Sequence, residues 1–193
     1  ALELDGSDLS AYHIKLSILV RNGAFEPAQE LIAFLEENGI EKDPVVLWSR
    51  AAMARSRDRD EEAALALFQE ADAQLADHPV KPVWVAAFYF EMALCLANVK
   101  DAKKDYSRAD ILQVLDKGLA VDPSSYDCRE YKAWLLKKDS RYEEALAIYK
   151  ELEAMPRQSL YIEEQMAEIY YNKAYFYADK AYDYYKRLEE DKN

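Results

Sequence analysis

Residues Tyr126 to Pro156 read YDCREYKAWLLKKDSRYEEALAIYKELEAMP, and this stretch decides the fold. Ala133 and Ala145 stand twelve residues apart, one on each side of Asp139-Ser140. Tyr149 and Leu152 follow Ala145 at intervals of four and three, the spacing that brings side chains onto one face of a helix. Tyr131, Trp134, Leu135 and Leu136 supply the apolar side of an earlier helix. Ser140 with Glu143 three residues on makes a capping box for the second helix, and Pro156 ends it. The stretch is expected to form a helical hairpin.

The same offsets recur outward from it. Leu16 to Ala28 and Ala52 to Ala64 also span twelve residues, followed by Ile32 and Leu35 and by Phe68 and Ala71. Ile111, Leu115 and Gly118 repeat the second half, with Pro123 five further on. The second-helix positions Ala28, Ala64, Ile111, Ala145 and Ala181 are separated by 36, 47, 34 and 36 residues. Stop and start signals lie between the repeats: Asn22-Gly23, Asn38-Gly39, Asp43-Pro44, His78-Pro79, Ser107 and Asp122-Pro123. They set hairpins at about 8-39, 43-78, 80-122, 124-156 and 157-190, in one domain over 8-190 after a flexible end at 1-7.

Two segments depart from the pattern. From Pro82 the chain is apolar all round through Val83, Trp84, Val85, Phe88, Tyr89 and Phe90, interrupted by Glu91, and so is expected to be buried on more than one side, in the core or against a partner. Beyond Pro156 stand eight of the fifteen tyrosines, which suit either a cover for the end of the core or an interface.

Composition narrows the function classes. With 51% hydrophobic residues, 32% charged and only four glycines, the chain is expected to be an all-helical globular protein. A net charge of -12 argues against nucleic acid, whose phosphates need clustered Lys and Arg. No apolar run reaches the ~18 residues of a membrane span. Cys95, Cys128, His13 and His78 have no zinc-ligand spacing, so no metal and no cofactor is expected, and the two thiols read as buried core. Cytoplasmic localisation is the expectation, although two cysteines would also suit an exported protein. Adjacent acidic pairs such as Glu61 with Glu62 and Glu163 with Glu164 point apart on a helix, and no nucleophile-base pattern or phosphate loop is seen, so the chain is not expected to be an enzyme.

On Trp48, Ala52, Ala64, Phe68 and Ala71, and again on Ala133, Leu136, Ala145, Tyr149 and Pro156, the chain resembles the tetratricopeptide repeat (TPR) family, a helix-turn-helix unit of ~34 residues. The resemblance implies an all-α solenoid of about five antiparallel helical hairpins, a right-handed superhelix whose first helices line a concave face. It implies a non-catalytic adaptor or scaffold that binds a peptide or helix of a partner protein there. Family members that hold a chaperone's C-terminal carboxylate carry lysines and asparagines on the first helices. The aligned places here read His13, Ser17, Ser49, Met53, Glu130, Trp134, Glu164 and Glu168, so that clamp is not expected. The mixed apolar and acidic face suggests a basic, amphipathic ligand, with Met53, Phe90, Glu130, Trp134, Glu164, Glu168 and Tyr171 as contact residues. The alternative is a homo-oligomer built through the aromatic helix 82-97 or the tyrosine-rich end.

Overall fold

Helices begin and end where caps, prolines and glycines stand. In a computed structural model of the chain, which describes residues 6-76, 80-99, 106-156 and 160-190, the described residues form helices and connecting turns with no strand. They are α1 (Gly6–Arg21), α2 (Phe25–Glu37), α3 (Pro44–Met53), α4 (Glu61–Gln74), α5 (Pro82–Asn98), α6 (Arg108–Val121), α7 (Tyr126–Lys138), α8 (Tyr142–Glu153) and α9 (Leu160–Glu190). The stop expected at His78-Pro79 and residues 1-5 of the flexible end expected at 1-7 lie outside the described residues, whereas Gly6 and Ser7 open α1.

Several starts follow the local chemistry. Asp43 accepts hydrogen bonds from the Val45 and Val46 amides at 2.8 and 3.3 Å, with Pro44 opening the helix behind it. Ser107 and Asp110 close a reciprocal capping box on α6. Gly23 and Gly39 take positive φ of 72° and 81°, as the helix stops require. The capping box expected at Ser140 and Glu143 does not form. Ser140 instead adopts a left-handed φ of 60° at the end of α7, and Glu143 pairs with Lys173. At the end of α3 the backbone continues as a π turn, Ala54–Asp58, before Asp60 caps α4 through the Ala63 amide at 2.9 Å.

The hairpin expected across 157-190 is a single helix, α9, because no glycine or proline interrupts the chain between Leu160 and Glu190. The fourteen-residue spacing from Ala167 to Ala181 therefore marks helix periodicity, and the Ala181 side chain lies outside the described residues.

The chain divides into two compact units, Ala1–Pro123 and Ser124–Asn193, where one domain over 8-190 was expected. In the first, α1 packs on α2 and α3, α3 on α4, α4 on α5 and α5 on α6. Ala28, Ala51, Ala64, Ala71 and Ala93 have no exposed surface, so these crossings are close, and Leu16, Leu35, Phe68 and Phe88 fill the space between. Helix α5 is buried on several sides through Val85, Phe88, Tyr89, Met92, Cys95 and Leu96. In the second unit α8 packs on α7 and α9, around Ala133, Leu136, Ala145, Tyr149, Leu152, Ile162 and Ile169.

Candidate functional site

Three helices of the first unit, α1, α3 and α5, surround an open cavity of about 330 Å³. Each contributes residues three or four apart, which is how one helical face meets a groove. From α1 come Ser17, Val20 and Arg21; from α3 Trp48, Ser49 and Ala52; from the π turn Arg55 and Ser56; from α5 Phe90, Glu91 and Leu94. The size is at the small end of pockets that hold ligands, ~300 Å³ and upward.

The cavity's polar groups are unequal. Trp48 Nε1–H donates to Glu91 Oε2 at 2.8 Å, while the Trp48 ring meets Phe88 edge to face at 6.2 Å, so this indole is held from two directions. Burial raises the Glu91 pKa, and the Trp48 hydrogen bond with the charges of Arg55 and Arg21 offsets that only in part. Arg55 Nε is bonded to Glu61 Oε2 at 3.1 Å, and Arg21 is exposed at the end of α1. The Ser17 and Ser49 hydroxyls turn back to carbonyls of their own helices, those of Ile14 and Val45.

Beside this groove, His13 Nε2 stands 3.0 Å from Asp43 Oδ1, but off the line of a directed hydrogen bond. Burial works to raise the Asp43 carboxyl; His13 and the Val45 and Val46 amides outweigh it and hold it below its ordinary value.

The expected contact residues fall in different places. Phe90 lines the cavity. Met53 does not. It is 4% exposed, packed with Leu16, Ala28, Ile32 and Val46, and its surface borders a separate depression among α2, α3 and α4. The small residues at the α2 and α3 crossing draw Met53 into the core. Glu130, Trp134, Glu164, Glu168 and Tyr171 belong to the second unit. Trp134 stacks on Tyr131 at 5.8 Å and 23°, with Lys138 Nζ 5.4 Å over its ring. Glu168 accepts from Lys137 Nζ at 2.6 Å, and the same nitrogen donates to Gln165 Oε1 at 2.5 Å, so this expected contact residue already has a buried cation beside it. Glu164 is exposed, and Tyr171 is 71% exposed. Tyr149 is buried with no hydrogen-bond partner for its hydroxyl, and burial, followed by Tyr161, Glu130 and Glu168, raises its pKa. Glu130 and Glu168 thus share one electrostatic neighbourhood.

Sequence reasoning missed Trp48, Arg21, Arg55 and Glu91 as site residues. A signal was present for Glu91: an acidic residue inside an otherwise apolar helix needs a partner or a wet pocket, because burying an unpaired charge is costly.

Other chemistry is sparse among the described residues. They contain no group of three or more His, Cys, Asp or Glu side chains placed to hold a metal ion, and no helix long and apolar enough to cross a membrane. Cys95 and Cys128 are buried thiols. The Cys95 thiol donates to the Glu61 carbonyl at 3.2 Å, and burial, followed by that hydrogen bond, pushes its pKa up to about 12, the profile of an inert structural thiol. Compared with known proteins, the chain matches no protein-family model and no curated protein.

Proposed function

We propose that the chain is a non-catalytic protein-binding module of TPR-like architecture, which holds a peptide or helical segment of a partner protein in the groove among α1, α3 and α5. The observation that carries this reading is the cavity itself, because its walls come from the first helices of three successive hairpins. In a helical repeat array these helices form the concave face. The packing of α1 on both α2 and α3 supports the solenoid arrangement. Two buried thiols accord with a reducing compartment such as the cytoplasm.

The test is selection of displayed peptides on the whole chain, followed by affinity measurement with Phe90→Ala and Leu94→Ala. Peptides that lose about tenfold or more in affinity to both variants, with unchanged melting, support the groove as the binding face; tenfold corresponds to ~1.4 kcal/mol. Failure to enrich any peptide, or binding indifferent to both substitutions, overturns it. A second reading, self-association, is favoured by Tyr171 and Tyr182 on α9, which are 71% and 69% exposed. Mass that rises with concentration, and that falls back in a Tyr171→Ser, Tyr182→Ser double variant, would establish that reading instead.

A further inference from the structure

The cavity among α1, α3 and α5 contains a specific chemical demand. Glu91 lines the cavity, and only one of its carboxylate oxygens, Oε2, has a hydrogen-bond donor among the described residues, the Trp48 indole, which lines the cavity too. A carboxylate this far out of water is unfavourable until it is paired and hydrogen-bonded. The nearby arginines do not supply the pair: Arg55 is bonded to Glu61, and Arg21 is exposed on the last turn of α1, where solvent screens it. The raised pKa of Glu91 agrees with a carboxylate whose surroundings under-compensate its burial.

The walls select the rest of the ligand. Trp48 and Phe90 are aromatic, a surface that attracts cations, and Leu94 and Val20 offer apolar contact for methylenes. A cavity of about 330 Å³ takes one side chain of a bound peptide or helix, while the rest of that segment lies across its mouth. The chain's net charge of -12 draws cationic partners toward it at long range. We propose that this cavity takes a single lysine or arginine side chain of the partner, its cationic head against the Glu91 carboxylate and its stem against Trp48, Phe90 and Leu94. The proposal rests on the groove being the binding face and adds the chemistry of its anchor.

The chain's three tryptophans provide the readout, since Trp48 reports through the indole N–H that touches Glu91. The full chain, labelled with nitrogen-15, is titrated with n-butylguanidinium chloride and separately with sodium butyrate. The guanidinium is expected to shift the Trp48 indole signal saturably, with half-saturation on the order of millimolar as befits so small a ligand, while the Trp84 signal stays in place. Butyrate is expected to leave Trp48 unmoved. Glu91→Gln should weaken the guanidinium by about tenfold or more. Arg21→Ala, at an exposed position that does not threaten folding, should tighten it by about twofold, because a like charge is removed from the rim.

Butyrate that saturates Trp48 and is abolished by Arg21→Ala overturns the proposal in favour of an acidic anchor. Guanidinium binding unchanged in Glu91→Gln, or no shift with either salt, also overturns it. The displayed peptides separate the two levels of the argument. Peptides that depend on Phe90 but not on Glu91 keep the groove and remove the cation, whereas dependence on neither removes both.

Discussion

The two compact units solve the same packing problem with different materials. In the first, a connected run of rings holds the helices: Trp48 against Phe88, Phe88 against Phe68 at 5.5 Å, and Phe88 against Tyr89 at 5.1 Å. In the second, ion pairs tie the helices: Arg129 to Glu151 between α7 and α8, Glu143 to Lys173 between α8 and α9, and Lys137 to Glu168 between α7 and α9. The difference teaches where a binding cavity can arise. The large rings do not fill the space beside the Glu91 carboxylate, and a gap remains there. A smaller unit has less apolar surface to bury and draws more of its geometry from directed polar contacts.

This contrast is broken most forcefully at Phe68. It has no exposed surface, and Phe68→Ala should cost ~3–5 kcal/mol in urea unfolding. A loss below ~1 kcal/mol would show that the ring cluster does not hold the first unit together. In the second unit, Lys137→Met removes a side chain that is 4% exposed and leaves Gln165 Oε1 without its donor. Its expected cost is ~1–3 kcal/mol. Stabilisation by this substitution would mean that the tie between α7 and α9 serves geometry and not stability.

Asp43 sharpens the comparison through pH. Its folded carboxyl lies below the ordinary 3.8, so the folded state binds that proton less readily than the unfolded chain. The stabilisation from its cap is therefore fully present above the unfolded pKa and is lost as pH falls through the folded value. Asp43→Ala should cost ~1 kcal/mol near neutrality, within the usual range for a helix cap, and should flatten the acid limb of a stability-versus-pH curve. An unchanged acid limb would contradict the pairing with His13 and the α3 amides. Glu91 carries the opposite sign: burial raises its pKa, so its unfavourable contribution is full above the folded pKa and is relieved as pH falls toward the unfolded value.

The smallest effect is the most discriminating. Tyr149 and Tyr89 are both buried, but among the described residues the Tyr89 hydroxyl has a hydrogen-bond partner, Asp72 Oδ1 at 2.6 Å, and the Tyr149 hydroxyl has none. Tyr89→Phe should cost ~1 kcal/mol, whereas Tyr149→Phe should be neutral or stabilising by a few tenths of a kcal/mol. Equal losses for both would require a hydrogen bond for Tyr149 that the geometry does not contain.

Much of the fold was legible in the chain itself. The alanines at 28, 64, 133 and 145 lie in crossings with no exposed surface, and Asp43, Ser107, Gly23 and Gly39 act as caps and stops where local chemistry places them. These are short-range rules, set by spacing on one helix and by the backbone preferences of single residues. The α9 helix was misjudged because repetition was extended across a stretch that contains neither glycine nor proline. Of the expected contact residues, Phe90 lines the cavity in the first unit. The burial of Met53 was not legible, because helical periodicity tells which residues share a face but not which neighbouring helix covers it.

What the sequence alone determined is therefore the helical class, most of the element boundaries and the apolar faces, all consequences of interactions within about four residues along a helix. Only the tertiary structure decided that Trp48 and Glu91, 43 residues apart, meet at 2.8 Å, and that Arg21 and Phe90 border the same space. Such meetings depend on how three helices pack in space, and no local spacing encodes them.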